Sequence, residues 1–303
     1  MRTIPALAST LAASLSAAAA ATGPAVAQTL TVPDSITAGI MVYDRHTRSA
    51  DLQLNAHQQF RSASVVKLLI ALDYLEANGV DVPPEDLAQL QPMLRSSDDD
   101  AASYLWVKDG WETIVRRMVA KIGLTDTAPP VNRGIWGYTA ISAADVVKIY
   151  DYILTRAEPG VRDFIMGNLR QSTRCGNDGF DQSFGIPGAV NRPWAAKQGW
   201  SGFGANPAPD KVCSPANPVP PTPGSAAHSS AQVGSGEQLT AKATAGDGLD
   251  LTRRATHTTG TVGPHDDKIM VVLTLEPVDT SWEASAGRIT ALTSVVYRLS
   301  EYL

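Results

Sequence analysis

Strand-forming patterns occupy only the two ends of this chain, and that separation limits the folds open to it. Residues 38 to 44 and 51 to 60 alternate or run apolar on either side of polar turn residues Asp44 to Ser49, which predicts a β-hairpin. A lone hairpin is marginal in water. The next strand-like segments come much later: "PWAAKQGWSGFG", then "DLTRRATHTTGTVG" and "DKIMVVLTLEP", the last two joined by a turn over Gly263 to Asp267. The economical solution is one antiparallel sheet built from both ends. The closing stretch "SAGRITALTSVVYRLSEYL" would flank it as a helix with Ile289, Leu292, Val295, Val296 and Leu299 on one side.

The middle of the chain reads as helices. "FRSASVVKLLIALDYLEANG" predicts a buried helix from Phe60 that stops at Asn78-Gly79. Several short helices follow, then a loop, "TDTAPPVNRGIWGYTAIS". A capped amphipathic helix comes next, "SAADVVKIYDYILTRA", with a further short helix at "VRDFIMGNLRQS". These helices would form a second lobe, with a cleft between the lobes. Residues 205 to 247, rich in Pro, Ala, Ser and Gly, predict a flexible insert.

The N-terminus has Arg2, a run of small apolar residues and Ala25-Val26-Ala27, the pattern of a cleavable signal peptide over residues 1–27. No Cys follows the apolar run, so a soluble, exported mature protein without a lipid or membrane anchor is expected. Two cysteines, Cys175 and Cys213, in an exported chain predict a disulfide. The net charge of -5 and the lack of Lys/Arg clusters exclude a phosphate-binding surface, so no nucleic-acid partner is expected.

Lys67 is the residue the opening helix does not explain. Ser64 lies three positions before it, so hydroxyl and amine share a helix face. A serine is a poor nucleophile until a base takes its proton, and a lysine in apolar surroundings can be that base. One S-x-x-K is weak by itself, since a chain this long contains about one by chance. Two more segments add to it: Ser97-Asp98-Asp99 in "MLRSSDDDAASYLW", and Lys197-Gln198-Gly199 in "AAKQGWSG".

S-x-x-K, then an S-D-N-like motif, then a K-T-G-like motif, in this order, resembles the penicillin-recognising serine hydrolases, class A β-lactamases above all. The resemblance covers most of the mature chain except the 205–247 insert. It implies an α+β fold: a five-stranded antiparallel sheet with flanking helices, packed on an all-helical lobe. The sheet lobe would be 36–62 and 186–303, and the helical lobe 63–185, within one domain of 28–303. It implies that Ser64 forms an acyl-enzyme, Lys67 moves the proton, Ser97 relays it to the leaving group, and Lys197 holds Ser97 and a substrate carboxylate. The N–H groups of Ser64 and Trp200 would bind the oxyanion. Asp99, Gln198, Gly199 and Ser201 would contact substrate. Acyl donors would be β-lactams or D-alanyl peptides of the cell wall. No metal or cofactor is implied, and a monomer is expected.

The sequence also departs from that pattern. Asp99 stands for the family's Asn and cannot donate an amide hydrogen when ionised; beside Lys67 it favours the ammonium. Gln198 stands for Thr. The loop "GLTDTAPPVNRGIWGYTAIS" contains no Glu to activate a deacylating water, and Asp126 is its only carboxylate. A binding protein that keeps the fold without chemistry, or an esterase acting on a non-lactam acyl compound, are the alternatives. The five histidines are scattered, and "GWSGFG" is not a G-x-S-x-G elbow, which speaks against a Ser-His-Asp triad. Trp136, Trp194 and Trp200 are candidates to line the cleft. Arg253, Arg254 and His257 are candidates to meet a substrate carboxylate.

Overall fold

The structure, a computed structural model, describes residues 30–214 and 248–301. The expected signal peptide, and residues 215–247 of the expected insert, lie outside the described residues. Among the described residues seven strands form: β1 (Thr37–Asp44), β2 (Ser49–Leu54), β3 (Phe60–Arg61), β4 (Ala140–Ile141), β5 (Trp194–Ser201), β6 (Arg254–Val262) and β7 (Lys268–Glu276). Eight α-helices accompany them: α1 (Lys67–Asn78), α2 (Pro84–Arg95), α3 (Asp99–Lys108), α4 (Thr113–Ile122), α5 (Ala143–Thr155), α6 (Pro159–Arg170), α7 (Ile186–Ala189) and α8 (Trp282–Ser300).

Both ends of the chain share one sheet, in the order β2-β1-β7-β6-β5, with antiparallel pairing throughout. β7 lies at its centre, pairing Ile40 of β1 with Val272 and Thr258 of β6 with the same Val272. The two-residue alternation of strands divides these side chains between two cores. Ala195, Ala255, Ile269, Val271 and Leu273 face the helical lobe and join the cluster built on α1 and α5. Ile40, Val42, Met270 and Val272 face the other way and pack with Trp282, Ile289 and Val296 of α8. α1 is buried nearly all round, from Lys67 to Leu75, as expected of a helix at the centre of a lobe. Gly79, at φ 76°, ends it.

Two local expectations are corrected. The second strand of the hairpin does not run to residue 60. It ends at Leu54, where Asn55 takes a positive φ of 46° and its side-chain amide donates to Ala38 O at 3.0 Å. Phe60 then crosses β1 over Gly39, where a Cβ would lie 2.6 Å from the ring. Phe60–Arg61 pairs with β4 instead. The buried helix likewise begins later than Phe60. A 3-10 turn over Ala63–Val66 precedes α1, and Ala63 at φ 44° lies outside the right-handed α conformation, so an α-helix cannot run through it from Phe60.

The disulfide Cys175–Cys213 is formed. Loop 124–142 is tied down by the buried Asp145 of α5, which accepts from the N–H groups of Thr125 (3.1 Å) and Asp126 (2.7 Å) and from the Thr127 hydroxyl (2.9 Å). β6 carries the fully buried His257. Its Nε2–H donates to Arg61 O at 2.8 Å, while Nδ1 accepts the Thr274 N–H at 3.3 Å. Only a neutral imidazole can do both.

Burial drives the pKa of His257 from an ordinary 6.5 down to about 4. The unfolded chain therefore takes up a proton in a range where the folded chain refuses it. Stability that is complete above pH 6.5 is lost as pH falls towards 4, by about 3 kcal/mol for this shift. In urea unfolding at pH 7 and pH 4.5, His257→Gln should lose less stability on acidification than the parent by about that amount. An equal loss in both proteins would contradict the assignment.

Candidate active site

Ser64 sits in the 3-10 turn, 6% exposed, held there by its neighbours. Ser62 N–H donates to Thr139 O at 2.8 Å, and Phe60–Arg61 is paired to β4. These contacts hold Ala63 in its left-handed conformation, which costs a non-glycine residue about 1–3 kcal/mol. The turn packs directly on β5. At Gly199 a Cβ would stand 3.0 Å from Ser62 O, 3.0 Å from Val65 Cγ2 and 3.3 Å from Ser64 N. Glycine is what lets the backbone of Ser64 lie against the strand one residue from Trp200.

Lys67 is fully buried at the start of α1. Its Nζ donates to Ser64 Oγ at 2.9 Å, Ser97 O at 2.6 Å and Asp99 Oδ1 at 2.5 Å, and lies 4.8 Å from the centre of the Trp136 ring. Three acceptors use the three hydrogens of an ammonium. In this arrangement Ser64 accepts from Lys67. The direction reverses only when Nζ is a free amine. Ser97 Oγ lies 3.3 Å from Lys67 Nζ and accepts from Lys197 Nζ at 2.8 Å. Ser97 itself is held at φ 57°. Lys197 is also fully buried and donates to Gln198 O at 3.0 Å. Burial, and next the charge on Lys67, hold its pKa well below the usual lysine range, against the opposing pull of Asp99 and Asp178.

The structure thus brings Ser64, Lys67, Ser97, Asp99, Lys197 and Gly199 together. Asp99 opens α3, with Asp98 as its cap accepting from Ala101 N–H at 2.9 Å. Gln198 departs from expectation. The alternation that turns Lys197 and Gly199 towards Ser64 turns Gln198 to the other face of the sheet. There its amide donates to Phe184 O and, at 3.4 Å, to Gln182 O, so it is not presented to a substrate carboxylate. Ser201 shares the face of Gly199, and its hydroxyl accepts from Arg61 Nε at 3.1 Å. Trp136 covers Lys67. Trp200 joins an aromatic cluster with Phe184 and Trp282, and Trp194 stacks on Arg192. His257 is spent on Arg61, while Arg253 and Arg254 donate to Leu275 O and Thr280 O. Asp126 is held by His57 Nδ1 and Ser142 Oγ, each at 2.8 Å.

Sequence reasoning missed Asp178. It lies in the loop after Cys175, within electrostatic reach of Lys67, Asp99 and Lys197. Burial first, then the charge on Asp99, pushes its carboxyl up to about 8. The nearby cysteine was its only signal in the sequence. Two cavities lie away from the cluster. One, of about 410 Å³, is at the far end of α1, where Glu76 and Lys121 pair with each other; the other, of about 270 Å³, is between residues 31–36 and α8. Neither gathers a nucleophile and a base.

No family model matches the chain. Among curated proteins it is 42% identical over 172 residues to a candidate lipoprotein named LppW from Mycobacterium bovis and to its counterpart in Mycobacterium tuberculosis. The match covers 54% of this chain, and the chain spans about half the length (54%) of these relatives. Among solved structures it is similar to PBP-A in an acyl-enzyme complex with penicillin G, with a TM-score of 0.59 and 13% identity over 89% of this chain and 92% of that one. It is similar to a class A β-lactamase from Bacteroides cellulosilyticus (0.58, 13%, covering 89% and 93%) and to one from Mycobacterium abscessus (0.55, 15%, covering 86% and 93%). At this identity the likeness is one of fold. The chain has the β-lactamase and transpeptidase-like fold, a five-stranded antiparallel sheet packed on a helical lobe.

The Lys67–Asp99 contact makes a kinetic prediction. Lys67 Nζ donates to Asp99 Oδ1 at 2.5 Å, so part of its hydrogen-bonding capacity is held away from Ser64. If Ser64 accepts an acyl group, Asp99→Asn should speed its labelling at pH 7 by about tenfold, because the ion pair that holds Lys67 Nζ is lost. A slower variant would mean that Asp99 assists the proton transfer.

Proposed function

We propose that this protein is an exported serine hydrolase or acyltransferase that carries its substrate as an ester on Ser64. The convergence of two buried lysines on Ser97, with one of them also on Ser64, carries the proposal. As an amine, Lys67 takes the Ser64 proton while Oγ bonds to the acyl carbonyl carbon. The N–H groups of Ser64 and Trp200 stabilise the oxyanion. When the tetrahedral centre collapses, Ser97 gives its proton to the departing atom and regains one from Lys67, 3.3 Å away. Lys197 keeps Ser97 aimed at that atom. Water then cleaves the ester and Ser64 recovers its proton. No metal or organic cofactor enters these steps.

The β-lactamase-type fold and the PBP-A acyl-enzyme neighbour favour β-lactams or D-alanyl cell-wall peptides as acyl donors. The disulfide and the candidate-lipoprotein name of the mycobacterial relatives support a place outside the cytoplasm. A second reading, a binding protein that retains the fold without chemistry, draws on the ion pair that ties Lys67 to Asp99.

Intact mass followed over time with penicillin G tests the proposal. A lasting adduct that is absent in Ser64→Ala is the expected outcome, and Lys67→Ala should slow its formation by roughly 10²–10⁴-fold. Drug consumed without an adduct would indicate rapid hydrolysis through the same ester. No adduct and no turnover, with either penicillin or a chromogenic ester, would favour the binding protein.

A further inference from the structure

Three walls with distinct duties stand around Ser64. On the first, the turn that carries it lies against β5 at Gly199. On the second, Ser97 and Lys197 meet, and loop 173–182 is docked beside them, with Thr173 N–H on Arg95 O at 3.0 Å and Asn177 N–H on Ser96 O at 2.7 Å. The third is loop 124–142. It sets a short 3-10 turn, Trp136–Tyr138, against the turn of Ser64. Ser62 N–H donates to Thr139 O at 2.8 Å, and the Thr139 hydroxyl donates to Trp136 O at 2.8 Å. With β3 paired to β4 just beyond, the two turns are fastened together.

The side chain that this third wall presents is an indole. Trp136 is 3% exposed, and its ring centre lies 4.8 Å from Lys67 Nζ, itself 2.9 Å from Ser64 Oγ. Its N–H is spent on Ser103 Oγ at 3.2 Å. The hydrogens of Lys67 Nζ go to Ser64 Oγ, Ser97 O and Asp99 Oδ1. An ordered water beside Lys67 needs several polar partners, and the face of an indole offers no strong one. The carboxylate of the same loop is no substitute, because Asp126 is held by His57 Nδ1 and Ser142 Oγ, each at 2.8 Å.

We propose that Trp136 is a positioning residue that keeps the Lys67 side of Ser64 dry and so fixes the lifetime of the Ser64 ester. The proposal rests on the reading of Ser64 as the acylated residue and deepens it: the site holds its acyl group rather than shedding it to water. Hydrolysis of that ester forms a bond from the water oxygen to the acyl carbon and breaks the bond from Ser64 Oγ. One water proton passes to a base and from there to Oγ, and the acid departs. Lys67, as an amine, is a base within reach of Oγ. The indole fills the space from which a water could touch both Lys67 and the acyl carbon.

Penicillin G adducts of the parent, Trp136→Ala and Trp136→Phe test the idea. Intact mass reads how fast each adduct forms and, once free drug is removed, how fast it is lost. The ratio of loss to formation should rise by about 10²-fold in Trp136→Ala, since a water brought to a base gains roughly that much. Trp136→Phe keeps a ring over Lys67 and gives up only the N–H to Ser103, so it should restore the parent's ratio. General damage to the site slows both steps and does not raise the ratio. Should Trp136→Ala fail to fold, Trp136→Leu opens the same space and serves in its place. An unchanged ratio in the Ala or Leu variant overturns the proposal. So does an equal rise in Trp136→Phe, which would place the effect on the bond to Ser103. A parent that consumes the drug without a lasting adduct overturns it too, because water then already reaches the ester. If neither penicillin G nor a chromogenic ester acylates the parent, the Ser64 reading fails and this inference falls with it.

Discussion

Two buried lysine side chains sharing one serine hydroxyl form the constraint around which the rest of the molecule is arranged. Moving a single ammonium out of water costs several kcal/mol even after relaxation. Lys67 offsets this with a carboxylate, a carbonyl, a hydroxyl and an aromatic face. Among the described residues Lys197 Nζ donates to Ser97 Oγ and its neighbour's carbonyl, and burial first, then the charge on Lys67, weakens its hold on its proton. The two backbone positions that make the meeting possible, Ala63 and Ser97, are both non-glycine residues at positive φ. Such conformations persist where surrounding contacts over-determine them, and both sit within the hydrogen-bond network of the cluster.

The fold supplies those contacts by joining distant parts of the chain. Lys197 lies on an edge strand contributed by the C-terminal half, and Ser64 on a turn contributed by the N-terminal half. They meet because β1 pairs with β7, so that both halves share one sheet. Gly199 removes the last steric barrier between strand and turn.

Much of this was legible in the sequence. Strand patterns at the chain's ends implied the shared sheet, and the three short motifs pointed to the residues that the structure brings together. The failures share a physical cause. Residue types do not report a positive φ at a non-glycine position, so the 3-10 turn before Lys67 and the crossing of Phe60 over Gly39 were invisible. Gln198 was read by its chemistry, but strand alternation decides its direction, and that depends on register. Asp178 lies far along the chain in a loop without periodic pattern. Its proximity to Lys67 comes from docking onto Arg95 and Ser96, which composition does not reveal.

Loop 124–142 shows how a site can keep the geometry of one chemistry and change its electrostatics. The loop presents an indole rather than a carboxylate to Lys67, with Trp136 Nε1–H donating to Ser103 Oγ at 3.2 Å. The carboxylates come instead from α3, as Asp99, and from the disulfide loop, as Asp178. A base on loop 124–142 would have faced Ser64 from the lobe that carries Lys67. Asp99 instead takes a hydrogen bond from Lys67 Nζ itself, and the charges of Asp99 and Asp178 oppose the loss of the Lys197 proton. If Ser64 carries an ester as proposed, a site whose carboxylates lie at the lysines rather than on loop 124–142 would form that ester more readily than it clears it.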